Sequence, residues 1–195
     1  MKPLKPAARI GLMIFAIVLA AGLSYSILRD VAPAKPKAED METQAPVSAS
    51  ALPAGKGELA PVRFYDAGGK PVGLADFKGE VLLVNLWATW CPPCVAELPS
   101  LDTLQAKLKD KGLHVVAISM DNKPVSDVAA FLAARNVEQL ALYIDTDREV
   151  PRQWPYAGIP QTFLIGRDGK VIATFEGPQK WDEGPLFDKI AAALK

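Results

Sequence analysis

Two cysteines are the residues whose types and spacing most directly indicate a chemistry: Cys91 and Cys94 are separated by Pro92 and Pro93. Three positions apart on a helical turn, their Cα atoms would lie about 5–6 Å from each other, within the range of a disulfide. The ring so formed encloses little chain and would stabilise a fold poorly. One pair also supplies only two of the four ligands of a structural zinc. The motif therefore favours a redox-active dithiol, with a structural disulfide and a metal site as alternatives.

The cysteines follow a strongly apolar run, residues 81–87 (VLLVNLW), which predicts a central strand buried on both faces. Apolar side chains at helical spacing over 92–110 predict that a helix comes next. Cys91 would then stand at the helix N-terminus, where unpaired N–H groups stabilise a thiolate and make it the attacking sulfur. Cys94, one turn inside, is suited to resolve a mixed disulfide. The two intervening prolines fit a first turn, whose N–H groups lack partners in any case.

The chain around this motif alternates short strands and helices. The predicted elements are a hairpin of 62–66 and 71–74, the strand and helix just named, a strand over 113–118, a helix opened by Pro124, a strand over 141–144, a hairpin of 162–165 and 171–175, and a last helix entered through Pro185. This order predicts an α/β fold, with a central mixed sheet flanked by helices and an N-terminal β-hairpin extension.

Residues 10–28 contain no charged side chain. As a helix they would span roughly 28 Å, close to the thickness of the hydrocarbon core of a bilayer. Lys2, Lys5 and Arg9 precede them, so the positive-inside rule places the N-terminus in the cytoplasm. We expect residues 1–29 to form a cytoplasmic N-terminus and a single-pass signal-anchor, with a cleaved signal peptide as the alternative.

The composition then changes along the chain. Residues 30–57 are rich in Pro, Ala, Ser and charge and have no apolar period, which predicts a flexible tether. The folded domain is expected to occupy 58–195.

Over the whole chain 22 Lys and Arg balance 22 Asp and Glu, so no basic excess argues for nucleic-acid binding. We expect the protein to be a monomer.

The sequence around the cysteines resembles a known family. Residues 83–94 (LVNLWATWCPPC), with Glu97-Leu98-Pro99 after them, are similar to the membrane-anchored TlpA-like proteins, relatives of the ResA and CcmG reductases of cytochrome maturation. The likeness continues through 115–118, 158–160 and 177–178 up to Trp181. It implies a thioredoxin fold and extracytoplasmic thiol–disulfide exchange, usually in the reducing direction.

The resemblance also assigns roles to individual residues. Cys91 matches the nucleophile of the family and Cys94 its resolving cysteine. Pro160 matches the cis-proline that faces the disulfide, which would place the Ile159 backbone beside Cys91, where it could pair with an incoming target strand. A trans proline on an edge strand is the alternative.

Three further positions complete the predicted site. Asn85 stands where ordinary thioredoxins have a buried Asp, and an amide cannot shuttle a proton. Glu97, one helical turn after Cys94, matches the acid of the TlpA and ResA group, and our hypothesis is that it deprotonates Cys94. The alternative is an exposed carboxylate with no role. Trp90 is expected to border the target groove, whereas Trp87 is expected in the core.

The surface expected to bind a target consists of Trp90, Pro92, Pro93, Ile159 and Pro160. Together these features predict a protein disulfide reductase on the periplasmic face of a bacterial cytoplasmic membrane, with no cofactor besides its own disulfide. By analogy with the family that the sequence resembles, its partners would be a membrane electron-donor protein and cysteine pairs in copper-centre assembly proteins or apocytochrome c.

Three other activities of this fold remain alternatives. A Cu(I) carrier would use the two thiolates, but the only histidine, His114, lies inside an apolar strand and is expected to serve packing. A thiol peroxidase would need a different setting for its cysteine. A disulfide-forming oxidase would use the same residues in the opposite direction.

Overall fold

The computed structural model describes residues 57–194. The expected signal-anchor (1–29) and nearly all of the expected tether (30–57) lie outside the described residues. Within 57–194, no helix is both long enough and apolar enough to cross a membrane.

The described chain forms seven strands and four α-helices. The strands are β1 (Phe64–Asp66), β2 (Pro71–Val72), β3 (Val81–Trp87), β4 (Leu113–Ser119), β5 (Tyr143–Ile144), β6 (Gln161–Ile165) and β7 (Val171–Glu176). The helices are α1 (Pro92–Leu108), α2 (Val125–Ala133), α3 (Val150–Gln153) and α4 (Gly184–Ala193), and two 3-10 helices span Leu74–Phe77 and Lys109–Lys111.

All seven strands join one mixed sheet in the order β2-β1-β5-β4-β3-β6-β7. β3, β4 and β5 run parallel, whereas β1, β2, β6 and β7 are attached through antiparallel pairs. The central position of β3 explains its apolar sequence, because a strand covered on both faces has no solvent-facing side. The predicted mixed sheet, its flanking helices and the N-terminal hairpin are confirmed.

The alternation of side chains along β3 divides the core between the two faces of the sheet. Leu83 and Trp87 point into the cluster that also contains apolar residues of α1, α2 and α4. Leu82 and Leu86 point into the opposite cluster. Asn85 has the same parity as Leu83 and Trp87, so it faces α1, the helix that carries the cysteines.

Several local structures differ from the sequence prediction. The first strand begins at Phe64 rather than at residue 62, and β5 is limited to Tyr143–Ile144 where a strand over 141–144 was expected. The second strand ends at Val72 rather than at residue 74, because the Asp76 carboxylate accepts a hydrogen bond from the Gly73 N–H at 2.8 Å and starts a 3-10 turn. The short helix α3 was not predicted. It is nucleated by the buried Asp145, whose carboxylate accepts hydrogen bonds from the N–H groups of Glu149 and Val150 at 2.9 and 3.0 Å.

Candidate active site

The cysteine pair lies where β3 passes into α1, as the sequence predicted. Cys91 and Cys94 form a disulfide with a Cα–Cα distance of 5.3 Å. Cys91 is the N-cap residue of α1 and is 5% exposed, whereas Cys94 is fully buried. Of the two cysteines, Cys91 is therefore the one with exposed surface.

The two prolines decide which helix N–H faces that sulfur. Pro92 and Pro93 occupy the first positions of α1 and have no N–H to offer. The first N–H of the helix is therefore that of Cys94, and it points at Cys91 Sγ over 3.3 Å. This donor and the helix dipole behind it would stabilise negative charge on Cys91 Sγ once the disulfide is reduced.

The loop before β6 contributes the backbone beside the disulfide. The Ile159–Pro160 peptide bond is cis, the isomer that the resemblance implied. The Ile159 carbonyl oxygen lies 3.8 Å from Cys91 Sγ. Pro160 is buried and Ile159 is partly exposed. The structure therefore brings Ile159 and Cys91 together.

Glu97 is buried, with 3% of its surface exposed, so the alternative of an exposed helix carboxylate is wrong. Its Oε1 accepts a hydrogen bond from Asn85 Nδ2 at 2.8 Å, and its Oε2 accepts from the Gln179 N–H and from Trp181 Nε1, both at 3.0 Å. Burial raises the pKa of the Glu97 carboxyl above its ordinary value of 4.5. The three hydrogen bonds favour the carboxylate and lower the pKa, but the effect of burial is larger.

Asn85 ties this carboxyl to the sheet. Its Nδ2 donates both to Glu97 and to Thr162 Oγ1, the latter at 2.9 Å, while its Oδ1 has no hydrogen-bond partner. An amide that donates to a carboxylate supports the charged form and holds it in place. Asn85 therefore orients Glu97 and does not itself take part in proton transfer.

Residues 48–194 match the family model described as Redoxin. The chain belongs to the Redoxin family. Among its curated relatives, the thiol-disulfide oxidoreductase ResA of Bacillus thuringiensis subsp. konkukian is 35% identical over 114 residues, 58% of this chain and 65% of that protein. ResA of Bacillus subtilis is 33% identical over 112 residues, 57% of this chain and 62% of that protein. The chain thus aligns with slightly less than two thirds of these two relatives.

Another Redoxin-family relative is aligned over more of its length. The thiol:disulfide interchange protein HelX of Rhodobacter capsulatus is 32% identical over 127 residues, 64% of this chain and 69% of HelX. These relatives confirm the predicted likeness to the ResA group.

Solved structures support the same assignment. A Chlorobium tepidum protein described as a candidate thiol:disulfide interchange protein DsbE shares 35% identity at a TM-score of 0.63, covering 71% of this chain and 96% of that one. A thiol:disulfide interchange protein of the thioredoxin family from Chlorobium tepidum shares 27% identity at a TM-score of 0.59, covering 74% of this chain and 100% of that one. The predicted thioredoxin fold is confirmed.

Three residues of this Redoxin-family site were missed in the sequence, because their signals are weak. Thr162 lies opposite Asn85 in the β3–β6 register, which no local pattern specifies. Gln179 contributes a backbone N–H, for which the side-chain type carries no signal. Trp181 was noted only as the end of the resemblance. Its indole is fully buried and donates to Glu97, a contact between residues 84 positions apart.

Trp87 and Trp90 differ in burial, in line with their different predicted roles. Trp87 is fully buried, as expected for a core residue, whereas Trp90 is 63% exposed. Pro92 and Pro93 are exposed beside it. Among the large apolar side chains of residues 57–194, Trp90 and Ile172 are the exposed ones. The residues around Cys91 therefore present an apolar surface to solvent.

His114 does not belong to this site. It pairs with Leu82 near the start of β3, whereas Cys91 follows the end of that strand. Its ring packs 4.5 Å from the ring of Phe77, and its Nε2 lies 3.3 Å from the Tyr143 hydroxyl. The packing role expected of His114 agrees with these contacts. Within 57–194, the structure contains no group of three side chains placed to hold a metal ion.

The raised pKa of Glu97 predicts a pH-dependent stability. The folded state keeps this carboxyl neutral to higher pH than the unfolded chain does. Its contribution to stability is therefore fully present below pH 4.5, the ordinary pKa of Glu, and is lost as pH rises through the raised pKa. Relative to Glu97→Gln, we expect the wild-type free energy of unfolding to fall by about 1.4 kcal/mol for each unit of pKa elevation.

Urea denaturation of both proteins between pH 4 and pH 8 measures this difference. The matched control is Glu138→Gln, which removes an exposed carboxylate. A difference between wild type and Glu97→Gln that stays constant over this range would contradict the assigned pKa direction.

Proposed function

We propose that this Redoxin-family protein is an extracytoplasmic protein thiol–disulfide oxidoreductase that reduces disulfides in its targets. The observation that supports this most directly is the arrangement of its sulfurs. The sulfur of Cys91 lies against the N–H of Cys94, and Cys91 keeps 5% of its surface exposed, whereas Cys94 is fully buried. One cysteine is thus placed to attack and the other to resolve. The names of the relatives, thiol-disulfide oxidoreductase and thiol:disulfide interchange protein, agree with this activity.

The cycle begins with the reduced protein. The Cys91 thiolate attacks one sulfur of the target disulfide, the target S–S bond breaks, and its second sulfur leaves as a thiolate that takes a proton from water. Cys91 is then joined to the target in a mixed disulfide. In this state Trp90, Pro92 and Pro93 contact the target, and the backbone of Ile159, before Pro160, pairs with its chain.

Resolution uses the buried half of the site. Glu97 accepts the proton of the Cys94 thiol, and the Cys94 thiolate attacks Cys91 Sγ. The bond between Cys91 and the target then breaks, and the target sulfur leaves as a thiolate that takes a proton from water. Glu97 also borders an open surface cleft together with Ser100, Gln179 and Asp182, and the proton would return to water through this cleft. Two electrons have then passed from the dithiol to the target, and the Cys91–Cys94 disulfide is restored.

The finer assignments follow from the resemblance. The protein would be anchored in a bacterial cytoplasmic membrane by residues 10–28, with the domain in the periplasm. A membrane electron-donor protein would reduce the Cys91–Cys94 disulfide, and no other cofactor is needed. The targets would be cysteine pairs of copper-centre assembly proteins or apocytochrome c, which must be reduced before they bind metal.

The proposed activity is tested by mixing the fully reduced protein with a disulfide-bonded cysteine-pair peptide of apocytochrome c. We expect stoichiometric transfer of one disulfide from the peptide to the protein, measured by mass spectrometry after thiol alkylation. The double variant Cys91→Ser/Cys94→Ser is the control and transfers none. Reduced protein that leaves the peptide oxidised would overturn the proposal.

Trp90 provides a prediction about target binding. Because Trp90 is exposed beside the disulfide, Trp90→Ala removes apolar contact area that a folded target would cover. We expect kcat/KM for a protein target to fall about tenfold, whereas the rate with a small aromatic disulfide changes less than about twofold. Ile172→Ala is the matched control, since within residues 57–194 Ile172 is the other exposed large apolar residue and lies on edge strand β7. Equal losses in both variants would count against a target-binding role of Trp90.

A further inference from the structure

A second buried carboxylate lies close to the dithiol and takes no part in the cycle described above. Asp121, just after β4, is 2% exposed. Its Oδ2 accepts hydrogen bonds from the Thr89 N–H at 2.8 Å and from Ser119 Oγ at 2.9 Å, and its Oδ1 accepts from Thr89 Oγ1 at 2.6 Å. A buried carboxylate is costly unless such donors satisfy it. Two of its three donors belong to one residue, Thr89.

Thr89 lies in the turn that joins β3 to the cysteines. The Cys91 N–H donates to the Ala88 carbonyl at 3.2 Å within this turn. The Thr89 hydroxyl donates to Asp121 and accepts from Lys123 Nζ at 3.1 Å, so both of its hydrogen-bonding functions are directed to the segment after β4. The segment that follows the neighbouring strand β4 thus holds the turn that leads into Cys91.

This attachment matters because α1 holds Cys91 from its carbonyl side only, where the Cys91 C=O accepts a hydrogen bond from the Val95 N–H at 3.0 Å. As the N-cap residue, Cys91 has an extended backbone, with φ −103° and ψ 98°, and its N–H side belongs to the preceding turn. The contact between Cys91 Sγ and the Cys94 N–H at 3.3 Å therefore depends on how the preceding turn is held.

We propose that Asp121 is a positioning residue of the dithiol site: by binding both the N–H and the hydroxyl of Thr89, its carboxylate holds Cys91 Sγ against the Cys94 N–H. The inference rests on the proposed exchange chemistry, in which Cys91 attacks as a thiolate. Asp121 acts through Thr89 and touches no reacting atom.

A variant that tests this proposal has to leave the carboxylate of Asp121 unchanged. Removing the carboxylate would loosen the turn, which disfavours the thiolate, and would also remove a nearby negative charge, which favours it. Thr89→Val avoids this conflict, because it removes only the hydroxyl and keeps Asp121 and its charge. Thr89→Ser keeps the hydroxyl, and Thr89→Ala is a second variant that removes it.

The measurement is the pH profile of iodoacetamide alkylation of Cys91 in the reduced full-length protein, with the site of modification located by peptide mass spectrometry. Alkylation follows the thiolate fraction. For Thr89→Val and Thr89→Ala we expect the midpoint of the profile to move to higher pH and the rate at pH 7 to fall about fivefold or more. Thr89→Ser should restore the wild-type profile.

The control is Thr103→Val, which removes a hydroxyl that donates to the Pro99 carbonyl within α1 and does not touch the turn. Its profile should match the wild type. A wild-type profile in folded Thr89→Val or Thr89→Ala, or an equal shift in Thr103→Val, would overturn the proposal. Alkylation needs no target protein, so a failure to reduce targets would overturn the proposed function without affecting this result.

Discussion

Replacing Cys94 with serine is expected to stop turnover and to trap the protein in a mixed disulfide with its target. Cys91 still attacks in this variant, because it keeps its partial exposure and its contact with the first N–H of α1. Resolution fails because the buried sulfur that would displace the target is missing. The trapped species is measured as a covalent adduct on a non-reducing gel, and it disappears when dithiothreitol is added.

Cys91→Ser is the matched control for this prediction. It keeps a single cysteine, but that cysteine is buried, so we expect neither adduct nor turnover. An adduct of equal yield in Cys91→Ser would mean that the assigned roles of the two cysteines are wrong.

Replacing Glu97 with glutamine is expected to slow the resolving step at least about a hundredfold at neutral pH, at the low end of what general-base catalysis contributes. The wild-type rate of resolution should rise as pH passes through the raised pKa of Glu97, because only the carboxylate can accept the Cys94 proton. In Glu97→Gln this rise should be absent. The attack by Cys91, which precedes proton transfer to Glu97, should keep its rate.

Rapid-quench kinetics with a disulfide peptide separate the two steps, since the mixed disulfide accumulates when resolution is slow. Glu138→Gln removes a carboxylate elsewhere on the surface and serves as the control. A wild-type resolution rate and pH profile in Glu97→Gln would show that the carboxyl is structural only.

The strand–helix junction that carries the cysteines could be predicted from the sequence because its signals are local. The run 81–87 is apolar at nearly every position because β3 is covered on both faces. The helix after it is marked by its apolar spacing, and the prolines between the cysteines fit a first turn. Each of these features depends on residues within a few positions of one another.

The environment of Glu97 could not be predicted in this way. Its spacing from Cys94 suggested a role but left its burial open, because burial is produced by the segment around Gln179 and Trp181, more than 80 residues along the chain. The link from Asp121 to Thr89 likewise joins residues 32 positions apart through the pairing of β3 with β4. Long-range pairings of this kind are determined by the fold and produce no periodic pattern in the sequence.

The reduction potential of the Cys91–Cys94 pair tests the proposed reductase most directly. The full-length protein would be equilibrated with glutathione or dithiothreitol redox couples, and the reduced fraction would be measured by alkylation and mass spectrometry. For a reductase we expect a value near or below about −220 mV, toward the thioredoxin end of the scale. A value near about −120 mV would make the protein an oxidant of its targets and would contradict the proposed direction of electron flow.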